Sequence, residues 1–278
     1  MDEQMYEILE SDTLSDGTKV EVLQFRTLSG SSDLRVANHL YFAANSGMRL
    51  KMVRVTLNDS HIRLEPGALY FMKGNLEMKS NTGGLKKGLA RKMLSGESMF
   101  VSEVHGTGEV YLEPSFGHFL LYRIQEQDRA IIIDKGLFYA GTAGLDIKAS
   151  MQKNLSSALF GGEGLFQTKI EGEGIVILYS PVPMDEIQKV TLSNDKLSVD
   201  GNFALLRTED VEFKVEKSSK SLISAGKTGE GLLQTFSGNG NVWLAPTQGV
   251  YSQLSSANGL AALALPPGVK MVNTGKEG

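Results

Sequence analysis

A pair of glycines separated by one residue recurs three times in the chain at a constant spacing. Consecutive pairs lie 66 residues apart, and a Gly-Glu dipeptide upstream of each pair recurs after 66 and then 67 residues. Two independent markers that keep one period over three copies indicate an internal repeat, which constrains the fold more strongly than any single motif. The glycine pairs are Gly106/Gly108, Gly172/Gly174 and Gly238/Gly240, and the dipeptides begin at Gly96, Gly162 and Gly229.

Each copy also has an upstream unit with its own strand pattern. The unit reads as an apolar strand, a glycine turn, a second apolar run and a strand in which apolar residues alternate, as they do in a half-buried strand. The two units together form a repeat, and the three copies span approximately 52–118, 119–185 and 186–254. Two further strand-like runs lie at Lys19–Leu28 and Leu50–Leu57. The upstream units are Ile62–Ser80, Ile131–Ser150 and Leu197–Ser218.

The glycine pairs are predicted to be structural. Apolar alternation precedes each pair and a β-branched run follows it. We therefore expect a hairpin whose turn requires positive φ, which glycine adopts without steric cost. A dinucleotide-binding loop would need a third glycine that opens a helix after a parallel strand. A strand follows instead, so the pattern excludes that interpretation.

Three β-rich copies predict an all-β fold with pseudo-threefold symmetry and short helical or loop connectors. One copy cannot bury its apolar faces alone, so neighbouring copies are expected to complete each other's sheets. An antiparallel β-sandwich and a double-stranded β-helix both fit the strand lengths. We expect a single β domain over residues 1–268, with residues 1–51 as an N-terminal extension packed on it and residues 269–278 as a flexible tail.

The composition excludes several classes of chemistry. The 278 residues include no cysteine, which excludes disulfides, thiol catalysis and cysteine-ligated metals. The net charge of −4 at pH 7 disfavours nucleic acid as a partner. The sequence shows no secretory signal and no apolar run long enough for a membrane helix, so a cytoplasmic protein is expected.

An ordered string of motifs resembles a known family. The string is Glu65–Met72 (EPGALYFM), Gly83-Gly84-Leu85, Leu94–Phe100 (LSGESMF) and Gly106–Val110 (GTGEV). It resembles the altered-inheritance-of-mitochondria (mitochondrial biogenesis) family over approximately residues 50–254. The resemblance implies a bacterial member of unassigned function, in a family named for a mitochondrial role in cristae and respiratory-complex organisation, with no catalytic residues to carry over. It also implies a fold similar to the tryptophan RNA-binding attenuation protein, a β-sandwich of double-stranded β-helix shape, although a fold does not imply RNA binding.

Histidines and repeated carboxylates are the candidate metal ligands. His105 and His118 flank Glu109 and Glu113, which allows a site of two histidines and one carboxylate, but the sequence lacks the H-x-H pair typical of such sites. The simpler interpretation is that both are ordinary surface histidines. One glutamate occupies the same place in every copy, so these glutamates either ring the pseudo-threefold axis and bind a hard cation or cap nearby backbone N–H groups. These glutamates are Glu97, Glu163 and Glu230; we expect no cofactor and no metal.

The densest positive segment lies in the connector of the first copy. Together with Lys148 and other lysines of the corresponding connectors, it could form one cationic face for an anionic membrane surface. The simpler interpretation is a solvated loop. The candidate contact residues of the segment are Lys86, Lys87, Arg91 and Lys92.

The motifs taken together favour a protein that is not an enzyme. The sequence contains no P-loop, no H-E-x-x-H and no G-x-S-x-G elbow. Strand edges exposed at the rims of a sandwich favour self-association. We expect a cytoplasmic scaffold or assembly protein that contacts protein partners, copies of itself or a membrane surface. The alternative is a small-ligand or metal-binding double-stranded β-helix protein, and an RNA binder is disfavoured by the acidic charge.

Overall fold

The computed structural model describes residues 5–80, 102–134, 136–152, 165–217, 232–256, 259 and 263–264. These residues are mostly β and their strands belong to two sheets, which confirms the predicted fold class at that level. The elements are β1 (Tyr6–Thr13), β2 (Lys19–Phe25), α1 (Leu34–Asn45), β3 (Lys51–Leu64), β4 (Leu69–Ser80), β5 (Ser102–Leu112), β6 (His118–Ile124), β7 (Ala130–Asp134), β8 (Phe138–Thr142), β9 (Leu145–Gln152), β10 (Leu165–Gly172), β11 (Gly174–Ser180), β12 (Gln188–Asp200), β13 (Ala204–Thr208), β14 (Val211–Lys217), β15 (Leu232–Leu244) and α2 (Gln248–Leu254).

The chain divides into two compact units. The first comprises Met1–Met184 with Leu206–Glu209, and the second comprises Asp185–Leu205 with Asp210–Gly278. The prediction of one β domain over residues 1–268 stays a prediction. The predicted flexible tail, residues 269–278, lies outside the described residues.

An antiparallel sheet of eight strands forms most of the first unit. Its order is β1-β2-β3-β8-β11-β6, and β5 pairs with both β3 and β4. Valine and isoleucine dominate its inner positions, because β-branched side chains pack well on a pleated surface. The core residues are Val20, Val22, Val53, Val55, Leu57, Ile62, Leu64, Ala68, Val104, Val110, Leu112, Phe119, Leu121, Ala140, Ile175 and Ile177.

The N-terminal residues are strands of this sheet rather than an extension packed on it. Strand β2 pairs with β3, from Lys19 opposite Thr56 to Gln24 opposite Lys51. Val20 and Val22 belong to the same core cluster as the valines of β3. The residues expected as an extension packed on the domain thus contribute to its sheet, because the buried valines of β2 complete the hydrophobic layer that β3 begins.

The remaining strands of the first unit pair in the second sheet. Strand β10 pairs with β7 on one side and with β9 on the other. The last three residues of β13 pair with Ile131–Ile133 of β7. At Glu173 the chain passes from this sheet to the eight-stranded sheet, because β11 pairs with β6 and β8 instead.

The second unit is built on strand β15. Strand β12 pairs antiparallel with β15 from Gln188 opposite Leu244 to Asp200 opposite Leu233. Strand β14 pairs with the first half of β15, and Phe213 packs against Phe236 with ring centroids 5.1 Å apart. Helix α2 begins near Glu186, whose carboxylate accepts a hydrogen bond from the Tyr251 hydroxyl at 2.7 Å.

The three glycine pairs lie within or between strands and not in hairpin turns. The first pair lies inside β5 and the third inside β15, so in each case one strand continues through the pair. The second pair lies where β10 ends and β11 begins, and these two strands have different partners. The predicted hairpins are therefore wrong, although all six glycines do have positive φ, as expected: Gly106, Gly108, Gly172, Gly174, Gly238 and Gly240.

Bulges on the partner strand accompany the first and third glycine pairs. Opposite Gly106 and Gly108, the register of β3 shifts between Leu57 and Ser60. A similar shift on β12, between Ser193 and Asp195, lies opposite the glycine pair of β15. A bulge bends and twists its strand, and the partner strand must bend with it. At the glycine pairs the partner strand does so with positive φ angles, which residues with a side chain rarely adopt.

Candidate functional site

The outer edge of strand β4 is the most distinctive surface of the first unit. Among the described residues β4 pairs with β5 alone, so its other edge carries no strand. A strand edge of this kind presents a row of N–H and C=O groups that can pair with another chain. We call residues Tyr70–Lys79 the β4 edge.

One face of the β4 edge is apolar and open. Met72 lies opposite Val110 and Met78 opposite Val104 on β5, and both valines are completely buried in the core. The two methionines continue that layer, yet Met72 is 40% exposed and Met78 is 44% exposed. The hydrophobic layer of the sheet is therefore left uncovered at β4.

The other face of the β4 edge carries opposite charges. Lys73 lies opposite Glu109, and Glu77 lies opposite His105. Both Lys73 and Glu77 are exposed, and neither forms an ion pair within the part of the chain that the structure describes. Phe71 anchors the start of this face, because its ring stacks on the buried Tyr111 with centroids 4.2 Å apart.

A groove with two imidazoles borders the β4 edge. His61 on β3 lies opposite His105 on β5, and the two rings stack with centroids 4.6 Å apart. Glu103 accepts a hydrogen bond from Arg63 Nε at 3.0 Å, and its other oxygen lies 2.9 Å from His105 Nε2. The groove has a volume of about 390 Å³, and its lining includes Glu77 of the β4 edge.

The surroundings of the groove favour a neutral His61 and an ionised Glu103. Burial lowers the pKa of His61, and the charge of Arg63 and the neighbouring His105 lower it further. Burial opposes ionisation of Glu103, but hydrogen bonds from His105 and Arg63 outweigh it and hold the pKa of the carboxyl below its usual value. His61 is therefore neutral at physiological pH, and its buried Nε2 has no hydrogen-bond partner in the described part of the chain.

The two histidines proposed from the sequence as metal ligands line different grooves. His105 lines the imidazole groove, whereas His118 begins β6 and lines a groove with Glu10, Lys51 and Phe119. Within the described ranges no group of three or more histidine or acidic side chains is placed to hold a metal ion. The remaining metal candidates, Glu97, Glu163 and Glu230, lie outside the described residues.

The proposed cationic face cannot be assembled from the described residues. Lys148 is described, and it forms ion pairs with Asp146 at 2.7 Å and with Glu171. Its charge therefore serves contacts within the sheet. No helix among the described residues is both long and apolar enough to cross a membrane. The other candidate contact residues, Lys86, Lys87, Arg91 and Lys92, lie outside the described residues.

Sequence reasoning did not single out the residues of the β4 edge or His61. A signal was present, since Met72, Lys73, Glu77 and Met78 stand symmetrically about Asn75. That symmetry matters only for a strand with a free edge, and only the tertiary structure shows that β4 pairs on one side alone among the described residues.

Comparison with known proteins places the chain among uncharacterised relatives. It is 27% identical over 221 residues to an uncharacterised protein of Streptococcus pyogenes serotype M6, covering 75% of this chain and 86% of that protein. The X-ray crystal structure of a Streptococcus pyogenes protein solved as a structural-genomics target is similar in fold, with a TM-score of 0.54 and 23% identity over 71% of this chain and 88% of that chain.

The family follows from a match over most of the chain. Residues 42–247 match the family described as mitochondrial biogenesis AIM24. This match covers well over half of the chain and includes β3 to β15. The resemblance seen in the sequence motifs is confirmed, and the chain belongs to the mitochondrial biogenesis AIM24 family.

Proposed function

We propose that this protein is a non-enzymatic, cytoplasmic scaffold or assembly protein that acts by binding protein through the β4 edge. The observation that carries the proposal is the open edge itself, where a strand of 12 residues has a pairing partner on one side only among the described residues. Backbone groups on such an edge give affinity by strand addition, and side chains on the two faces give specificity.

The side chains of the edge support a partner rather than permanent exposure to water. Open edges are usually protected by short length, charged side chains, proline or bulges. Strand β4 does carry charges, at Lys73, Glu77 and Lys79, but they alternate in sign and can therefore pair with the charges of a partner strand. Strand β4 is long and contains no proline, and its register shift lies at the end near Leu69. Tyr70, Met72 and Met78 together present apolar surface along it. A strand from a protein partner would pair with the backbone and cover this apolar surface at the same time.

The size of the native complex in a lysate of the source cells tests the proposal. We expect the wild-type chain to migrate well above its 30.2 kDa monomer mass. The variant Met72→Lys/Met78→Lys should migrate at the monomer mass, because two buried charges oppose strand addition. Ile8→Lys is the matched control, since Ile8 is an exposed apolar residue of β1. A wild-type chain that migrates as a monomer in the lysate would refute the proposed function.

Small-ligand binding is the second candidate, and the imidazole groove is the observation that favours it. The buried Nε2 of His61 lines this groove with His105 and Glu77, so a small polar ligand could supply its missing hydrogen bond. Titration with zinc chloride and with small organic anions, followed by the histidine NMR signals, tests this candidate. Ligand-dependent shifts of both the His61 and the His105 signals in the wild type would support this candidate, provided that the His105 signal no longer shifts in His61→Gln. Signals that do not change on titration would refute it.

We also propose that the chain consists of three copies of one unit, in a double-stranded β-helix similar to the tryptophan RNA-binding attenuation protein. Strand pairing supports this proposal, because in each copy the strand that contains the first glycine of the pair has two pairing partners from the same copy. This holds for β5 with β3 and β4, for β10 with β7 and β9, and for β15 with β12, with β14 as the third strand. Superposition of the three copies in a crystal structure tests it; copies whose corresponding strands fail to superpose would refute it.

A further inference from the structure

We infer that the β4 edge binds the β4 edge of a second copy of this chain, so that two chains form a symmetric antiparallel dimer centred on Asn75. The inference rests on the proposed function and names the partner. An antiparallel pair of identical strands places one residue opposite itself on a twofold axis. Residues equally distant from that residue then face each other across the interface.

Charge complementarity identifies the register. With Asn75 on the axis, Lys73 faces Glu77 of the partner subunit, and Glu77 faces the partner subunit's Lys73. Both side chains are exposed and form no ion pair within the described part of their own chain. The dimer therefore contains two contacts between Lys73 of one subunit and Glu77 of the other. Opposite charges at facing positions stabilise a strand pair.

The apolar face fits the same register. Met72 faces Met78 of the partner subunit, and Met78 faces the partner's Met72. These are the two methionines that leave the core layer open at β4, at 40% and 44% exposure. Edge-to-edge pairing would continue this layer from one subunit into the other, because side chains of facing residues lie on the same side of a sheet.

Neighbouring registers lose this match. A shift by one residue places charged positions opposite apolar ones, because successive side chains point to opposite faces. A two-residue shift in one direction places Lys73 opposite Lys79 of the partner subunit, and in the other direction it places Glu77 opposite the partner's Phe71. Of these neighbouring registers, only the one centred on Asn75 pairs unlike charges on one face and methionines on the other.

Charge reversal in the purified full-length protein tests the inference. Sedimentation equilibrium should show a monomer–dimer equilibrium for the wild type. Lys73→Glu and Glu77→Lys should each weaken dimerisation about tenfold, because each creates two contacts between like charges. The double variant Lys73→Glu/Glu77→Lys should restore wild-type affinity. An equimolar mixture of the two single variants should also form dimers, since each variant complements the other.

Disulfide trapping provides a second test that does not depend on charge. The chain contains no cysteine, so Asn75→Cys introduces a single thiol on the predicted axis. Facing residues of an antiparallel pair bring their Cβ atoms within disulfide range. Oxidation should crosslink this variant between subunits and leave Lys79→Cys, four residues from the axis, uncrosslinked.

The controls separate this inference from the proposed function. Glu7→Lys reverses an exposed charge on β1 and should leave dimerisation unchanged. A wild-type protein that stays monomeric when pure, or a dimer that is insensitive to both single variants, would overturn the inference. If that pure monomer still enters a complex in the lysate that Met72→Lys/Met78→Lys abolishes, the β4 edge binds a different protein, and the proposed function stands without the dimer.

Discussion

Gly106→Ala perturbs the bent part of strand β5, and its cost can be worked out from the local backbone. Gly106 has φ +125°, a conformation that costs a residue with a side chain about 1–3 kcal/mol. A Cβ at this position would also overlap the carbonyl oxygen of Asn75 and lie 3.3 Å from Leu76 Cα. Both atoms are backbone, so β4 would have to move away from β5. We therefore expect a total loss of about 3 kcal/mol or more, with at least one ladder hydrogen bond included at about 1 kcal/mol.

Two other glycines separate the conformational cost from the steric one. Gly67 has φ +88° with open space around its Cβ position, so Gly67→Ala should cost only about 1–2 kcal/mol. Gly30 has no positive φ and no neighbour within 4 Å, so Gly30→Ala should change stability little. Urea denaturation followed by circular dichroism measures all three free energies of unfolding. A loss for Gly106→Ala no greater than that for Gly67→Ala would refute the close approach of β4 and β5.

Three further predictions concern the first unit. Glu21→Gln should cost about 2 kcal/mol at pH 7, because the buried Glu21 carboxylate accepts a hydrogen bond from Arg54 Nε at 2.7 Å and the variant leaves the half-buried Arg54 guanidinium without its carboxylate. Hydrogen bonds with Arg54 and Lys19 outweigh burial and lower the pKa of Glu21, so its contribution to stability is present above about pH 4.3 and is lost as the pH falls through the folded pKa. Denaturation curves of the variant should therefore show a smaller loss of stability on acidification. Ile177→Ala should cost about 2–5 kcal/mol, as measured by urea unfolding, because Ile177 is fully buried in the core, whereas Ile8→Ala on β1 should cost much less; equal losses would contradict the assigned burial. Burial raises the pKa of both Tyr122 and Tyr139 to about 12, so titration of phenolate absorbance should show a smaller step near that pH in Tyr122→Phe, and a step reduced near pH 10 instead would contradict the burial.

The glycine pairs show what a sequence pattern can determine. Their period and their need for positive φ were readable from the chain, because positive φ is a local property that few residues besides glycine tolerate. Their role was not readable. A hairpin and a bulged strand both place glycine between two apolar runs, and they differ only in which strands pair.

The candidate metal ligands show what a sequence pattern cannot determine, namely which side chains meet in space. His105 and His118 are close in sequence and lie on β5 and β6, which are consecutive strands, yet they line different grooves. His105 contacts Glu103, and it stacks on His61, which is 44 residues away in the sequence. Antiparallel pairing of β3 with β5 creates this contact, and no local pattern specifies that pairing.

The sequence by itself determined the β-rich class, the strand runs, the positions that require glycine and the family, because each depends on residue type and short-range periodicity. The tertiary structure alone decided which strands became neighbours and which strands, in the described part of the chain, pair on one side only. Strand β4 illustrates the difference: Lys73 and Glu77 stand symmetrically about Asn75 in any conformation, but only strand pairing places them on a strand that has β5 as its one partner among the described residues. Strand pairing joins residues far apart in the chain through backbone groups that every residue carries, so the sequence leaves few local marks of it.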